Sequence, residues 1–172
     1  MKIAYVTSAG PARDDGLLAR VARDLDASGW RTCGVVQTNL RTGKDHRCDM
    51  DLKILPDGPT IRISQSLGPG ARGCRLNPSA LEQAVAASQH QLARAADVLI
   101  VNKFGKHEAE GRGFRGLIAE AVAGGVPVIL GVSARNLEAF LEYTQGLATC
   151  VAPTTHDIAA WLRDPATQSD AA

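Results

Sequence analysis

The sequence predicts an α/β fold: a three-layer, mostly parallel sheet with an inserted β-hairpin. Three observations predict it. Short apolar runs at residues 2–7, 32–38, 97–101 and 126–132 alternate with stretches of helical period, as in a parallel sheet covered by helices. Two polar–apolar alternating stretches, 49–55 and 60–64, flank the turn signal Pro56-Asp57-Gly58-Pro59, which reads as a hairpin at the sheet edge. Glycine is abundant (17 residues) and aromatics are scarce (4%), so loops can approach a ligand through the backbone.

Each element follows from its local pattern. Residues 2–7 read as a buried strand. Leu17, Leu18, Val21, Ala22 and Leu25 recur at helical spacing, with Asp14 or Asp15 as cap and Ser28-Gly29 as stop. A second strand covers about 32–38. The hairpin then continues into the glycine-rich loop Gly68 to Gly73. Asn77-Pro78-Ser79 opens a helix to about Ala95, with Leu81, Val85 and Leu92 facing inward. Residues 97–101 are apolar enough for a central strand. A polar loop, 102–113, leads to a helix over 114–123, and Gly124-Gly125 ends it. The strand 126–132, a helix over 134–145, a weak strand near 148–151 and a helix at about 155–163 complete a single domain over 1–164. The tail, 165–172, is expected to be disordered.

Composition excludes several function classes. The chain has 172 residues, enough for one domain with a substantial core. Lys plus Arg number 19 against 18 Asp plus Glu, a formal charge of +1, so it is neither a bulk polybasic binder nor an acidic tail. Few aromatics disfavour a stacking platform for single-stranded nucleic acid. No apolar run reaches the roughly 18–20 residues of a membrane span. The opening residues are too strand-like for a signal peptide, and four cysteines without a CxxC pair fit a reducing, cytoplasmic setting.

The total charge hides segregation. Residues 41–75 hold seven cations against four acids, whereas residues from 133 on hold two cations and five acids. The cations gather with the glycines in loops, which suits a small anionic ligand.

In an open parallel sheet, ligands bind beyond the carboxyl ends of the strands. Three loops are expected there. The first, Thr7 to Gly16, precedes a helix N-terminus, which suits an anion. It offers Ser8, Gly10 and Arg13, but it lacks the lysine of GxxxxGK[ST] and carries Asp14 and Asp15. A plain strand–helix turn is equally consistent. The second, Asn102 to Arg115, brings Lys103, Lys106, Arg112 and Arg115, with Glu108 and Glu110 interleaved. A nucleotide hydrolase places an acid at such a strand end to hold Mg²⁺. Asn102 stands there, so Glu108 is the nearest substitute and the candidate catalytic residue. The third, Ser64 to Arg75, has Arg72 and Arg75 with no acid between Gly58 and Leu81 and forms a candidate anion nest. A solvated hairpin return is its alternative. His46, Cys48, Asp49 and Asp51 could ligate a metal, and Cys48 and Cys74 could meet across the hairpin. Strand alternation sends neighbours to opposite faces, so no metal site is assigned.

These motifs resemble a known family. Gly34-Val35-Val36-Gln37-Thr38, the segment Gly73 to Glu82, Val101 to Glu108 with Gly105, Lys106 and Glu108 in register, and Phe114 at a helix start together resemble the thermophilic-type P-loop nucleoside-triphosphatases over about residues 2–145. The resemblance implies a P-loop NTPase type of sheet, and a nucleotide with Mg²⁺ as cofactor. The chain departs at two anchors: the Walker-A lysine and Ser/Thr are missing, and the Walker-B acid pair reads Asn102-Lys103. It is more similar to an uncharacterised bacterial offshoot associated with molybdenum uptake or nitrogenase. That association implies a molybdate-like oxyanion as the other candidate ligand.

Three readings follow. The first is a binding protein for a nucleotide or oxyanion without a working Walker A. The second is an interaction or assembly factor, in which hairpin and arginine loop bind a partner or another copy. The third is an atypical nucleoside-triphosphatase. Binding without catalysis ranks first, with no nucleic acid and no membrane as partner.

Overall fold

The computed structural model describes residues 2–8, 16–40, 49–65 and 75–164. The strands are β1 (Ile3–Ser8), β2 (Thr32–Leu40), β3 (Asp49–Ile54), β4 (Thr60–Arg62), β5 (Val98–Phe104), β6 (Val128–Ser133) and β7 (Thr149–Cys150). They form one sheet in the order β4-β3-β2-β5-β6-β1-β7. The five strands from β2 to β7 in that order run parallel, and the β3–β4 hairpin adds antiparallel on β2.

The helices are α1 (Leu17–Ala27), α2 (Pro78–Leu92), α3 (Lys106–Ala109), α4 (Arg115–Ala123), α5 (Leu137–Tyr143) and α6 (Thr155–Arg163). Two apolar clusters show the three layers. Leu99, Val101 and Leu130 pack with Leu81, Ile118 and Phe140, so α2, α4 and α5 cover one face. Val98, Ile100 and Ile129 pack with Val21, Leu25 and Ile158, so α1 and α6 cover the other. Alternation along β5 feeds both clusters, which is why the run Val98-Leu99-Ile100-Val101 is apolar without a break. Burying each such side chain is worth roughly 1.5–3 kcal/mol.

The pattern-based elements are found, with instructive shifts. The N-cap of α1 is Gly16, at φ 68°, and it makes no side-chain cap bond, in place of the expected Asp14 or Asp15. Asn77 caps α2 by accepting the Ala80 N–H at 3.2 Å. Val85 of that helix is only half-buried, and Ala84 and Ser88 take the innermost positions. The helix expected over 134–145 begins as a 3-10 turn, Ala134–Asn136, before α5. Phe114 precedes α4 as its cap. The expected disordered tail lies outside the described residues.

The largest shift concerns β5. It runs to Phe104, so Asn102 and Lys103 belong to the strand and not to the following loop. Its pairing with β6 is irregular: Val101 opposes Leu130 and Phe104 opposes Val132, so Asn102 and Lys103 together face Gly131. This is a β-bulge. It explains why Phe104 joins the same cluster as Leu99 and Val101 despite the change of parity. It also explains Gly131: a Cβ there would lie 2.6 Å from the Asn102 carbonyl oxygen.

Candidate functional site

The connections locate a topological switch point. The chain leaves β1 for α1 on one face of the sheet, and leaves the neighbouring strand β6 for α5 on the other face. In such sheets the carboxyl edge at a switch point is the usual ligand position. Ser8 and Ser133 are register partners at that edge. Next to β6 lies the end of β5 with its bulge, and bulges commonly re-aim side chains beside active sites.

Below this edge, aromatic packing joins β1 and the end of β5 to α5. Phe140 meets Tyr5 and Phe104 edge-on, each at 5.2 Å between ring centroids, and Tyr143 stacks on Phe104 at 5.7 Å. Burial raises the Tyr143 phenol above its ordinary range, against the opposing effect of Arg115. Burial, then a side-chain hydrogen bond with Cys150, raises that of Tyr5. Asn136 ties the ends of β5 and β6 together. Its Nδ2 donates to the Phe104 carbonyl at 3.3 Å and to Ser133 Oγ at 3.2 Å.

The loop from Gly105 to Phe114 is organised by carboxylates. Glu108 is buried at 4% exposure. Its Oε2 accepts the Gly105 N–H at 2.8 Å, and its Oε1 accepts the Phe114 N–H at 3.2 Å. Glu82, from α2, accepts the Gly113 N–H at 3.2 Å. Glu108 therefore directs both oxygens at backbone donors of its own loop.

The four cations of this loop region have different surroundings. Lys106 pairs with Glu110 at 3.5 Å. Arg112 bonds the same carboxylate, and Arg112 first and Lys106 second hold Glu110 below the usual carboxylate range. The Arg115 guanidinium lies over the Tyr143 ring at 4.3 Å and donates to the Glu108 carbonyl at 3.3 Å. Lys103 is exposed. Among the described residues it has no hydrogen-bond or ion-pair partner.

Of the sequence-predicted residues, Ser8, Asn102, Lys103 and Lys106 are brought to the carboxyl edge. Asn102 is turned aside: its Oδ1 accepts the Gln37 N–H from β2 at 3.0 Å. Arg75 lies on the hairpin side, donating to the Gln65 carbonyl at 3.3 Å. Gly10, Arg13, Arg72, Cys48 and Cys74 lie outside the described residues. Among the described residues no group of three or more His, Cys, Asp or Glu could hold a metal.

Sequence reasoning missed Arg135, Asn136 and Gly131. Arg135 sits in the turn directly after β6, is exposed, and has no partner among the described residues. Gly131 did carry a signal, since an isolated glycine inside an apolar strand marks a bulge or a close backbone approach. Elsewhere, an open groove of about 660 Å³ involves Trp30, Arg31, Asp57 and Arg94. It lies at the amino edge of the sheet, opposite the switch point. There Arg31 is held by Asp97 at 2.6 Å.

Comparisons with known proteins place the chain. The model of the family described as "Protein of unknown function (DUF2478)" matches residues 3–161, and the chain belongs to that family. "Molybdenum import ATP-binding protein ModC 2" of Bradyrhizobium diazoefficiens is 39% identical over 150 residues, 87% of this chain and 17% of ModC 2. The chain thus spans about a sixth of the length of that curated relative. The crystal structure of THEP1 from the hyperthermophile Aquifex aeolicus aligns with a TM-score of 0.69 at 17% identity, covering 94% of this chain and 99% of that one. The solution structure of a human cancer-related nucleoside triphosphatase aligns with a TM-score of 0.64 at 20% identity, covering 100% and 99%. These likenesses show the fold, a three-layer α/β arrangement with a mostly parallel sheet shared with both nucleoside-triphosphatase-type structures, as the sequence resemblance implies. No helix among the described residues is long and apolar enough to cross a membrane.

Proposed function

We propose that this DUF2478-family chain binds a small anion, a nucleotide phosphate group or a molybdate-like oxyanion, at the switch point between β1 and β6, and does not hydrolyse it. One observation carries the reading. Lys103 on β5 and Arg135 after β6 stand at neighbouring strand ends without a partner among the described residues, whereas Lys106, Arg112 and Arg115 are engaged. Exposed cations at a topological switch point suit an anion. The absence of catalysis is supported by Glu108, whose carboxylate is buried and doubly bonded to backbone, away from the role of a general base. The relative ModC 2 is named for both ATP and molybdenum, which supports both ligand classes.

Calorimetry with ATP, GTP, molybdate, phosphate and sulfate tests this. Saturable binding of one class is expected, and silence for all of them sinks the reading. Phosphate release should stay at the level of a Lys106→Ala, Glu108→Ala double variant. Turnover above that level would establish the nucleoside-triphosphatase instead.

A second reading has its own support. A segment like this one is built into the much longer ModC 2, which favours a module that works beside a molybdenum-import ATP-binding protein in the cytoplasm. Co-purification of the separate chains tests it.

A further inference from the structure

Asn136 fixes the direction of a hydroxyl at the carboxyl edge. Its Nδ2 lies 3.3 Å from the Phe104 carbonyl oxygen, at the end of β5, and 3.2 Å from Ser133 Oγ, at the end of β6. A carbonyl oxygen only accepts hydrogen bonds, so the group facing it must be the amide NH₂ and not the amide oxygen. The same NH₂ carries a second hydrogen, and this one meets Ser133 Oγ. Ser133 therefore accepts from Asn136. A serine hydroxyl has one hydrogen of its own, which must leave Oγ in another direction. The Phe104 carbonyl thus orients Asn136, and Asn136 in turn makes Ser133 a donor towards a third group. Accepting one bond also strengthens the bond that the hydroxyl donates.

The fold puts this hydroxyl at the switch point. Ser133 is the last residue of β6 and the register partner of Ser8, the last of β1. Alternation along β6 gives Ser133 the parity of Ile129, which packs with Val21 and Leu25 of α1, whereas Val128, Leu130 and Val132 belong to the opposite cluster. Ser133 thus lies on the α1 side of the sheet and is half-buried. A hydroxyl held as a donor suits a ligand oxygen that carries no proton, as in a phosphate group or molybdate.

We propose that Ser133 donates its hydroxyl hydrogen to the bound anion, and that Asn136 is the positioning residue that keeps it a donor. This rests on the anion-binding reading above. Three acids flank this edge in the sequence: Glu138, exposed in the first turn of α5, and Asp14 and Asp15, which lie outside the described residues. A carboxylate of the chain that took the Ser133 hydrogen would leave none for a ligand, and the test separates the two cases.

The test is calorimetry on the full chain with phosphate, molybdate and ATP. The probe that binds the wild-type chain should bind Ser133→Ala about tenfold or more weakly, the scale of a lost charge-assisted hydrogen bond, and Ser133→Thr within about threefold of wild type. Asn136→Asp is nearly isosteric, but its carboxylate only accepts and draws the Ser133 hydrogen to itself. It should weaken binding at least as much as Ser133→Ala, and adding Ser133→Ala to it should cost less than about twofold more. The serine variants decide the donor even if Asn136→Asp loses its fold. An unchanged affinity in Ser133→Ala overturns the proposal, assigns the hydrogen to an acceptor of the chain, and leaves the anion reading standing. Losses that multiply in the double variant overturn the positioning role of Asn136. Silence of the wild-type chain towards all three probes overturns the anion reading itself.

Discussion

Glu108 Oε2 accepts the backbone N–H of Gly105, three residues earlier, at 2.8 Å, and its other oxygen reaches forward to Phe114 at 3.2 Å. One buried side chain thus closes both ends of the turn that follows β5. Removing it strands two donors, one of them buried. Glu108→Ala is expected to cost about 2–3 kcal/mol, because an unsatisfied buried donor costs roughly 1–3 kcal/mol. Glu108→Gln keeps one acceptor oxygen and should lose about half as much. Urea unfolding of the three proteins measures both. An alanine variant as stable as wild type would show that the turn is held by other contacts.

Gly113 and Gly34 are fixed by different neighbours, and their alanine variants should differ accordingly. Gly113 has φ 59°, and a Cβ there would run into Glu108 Oε1, a side-chain atom. Gly34 has φ 101°, and its Cβ would run into the Ile100 carbonyl of the adjacent strand, which is backbone at the centre of the sheet. The Glu108 side chain can shift by loosening its bonds to Gly105 and Phe114, whereas a central strand cannot move. Gly113→Ala should cost about 1–2 kcal/mol, and Gly34→Ala about 3 kcal/mol or more. Thermal unfolding in parallel ranks them.

The contrast shows what was legible in the sequence. Parallel strands, the hairpin and the apolar helix stripes could be read because each is a local period: Val98 to Val101 and Leu17 to Leu25 carry their environment in their own spacing. The end of β5 could not be read that way. A bulge breaks the period of two at Asn102 and Lys103, so polar residues still within a strand look like a loop. Charges were hardest. Lys106, Glu108, Arg112 and Arg115 have equal standing as letters, yet the fold engages all four and leaves Lys103 exposed. Those partners include Tyr143, 28 residues beyond Arg115. Arg135 lacked any local motif, since its position matters only because β6 lies beside β1 and β5.

Cys33 and Cys150 should react differently with thiol reagents. Cys33 is fully buried on β2, and burial pushes its thiol up to about 12, whereas Cys150 is exposed on β7. With Cys48 and Cys74 replaced by serine, native protein at pH 8 should label at Cys150, and Cys33 should label only on unfolding. The same shift predicts a stability slope. The folded thiol keeps its proton where the unfolded one has lost it, so the contribution is complete below the ordinary value of 9.0 and is lost as pH rises from there towards about 12. The slope is at most about 1.4 kcal/mol per pH unit. Cys33→Ala should remove it from a pH series of unfolding curves, and an unchanged slope would assign it to other groups.

The main-chain ladder between β2 and β5 ends at Val35 and Val101, and Asn102 extends it with its side chain. Its Oδ1 takes the Gln37 N–H at 3.0 Å, while its Nδ2 approaches Gln37 Oε1 at 3.5 Å. Beyond this point β2 is paired with β3 alone, at Thr38, Asn39 and Leu40. Asn102 therefore fastens the fork where the hairpin diverges from the parallel sheet beside Lys103. Asn102→Ala should cost about 1 kcal/mol, the net worth of one such bond. It should also speed hydrogen exchange at the Gln37 amide about fivefold, since about 1 kcal/mol of local opening energy corresponds to that factor. Asn102→Asp keeps the acceptor and should keep the Gln37 amide protected. If exchange at Gln37 is the same in the alanine variant as in wild type, the fork is held by the β2–β3 pairing and not by Asn102.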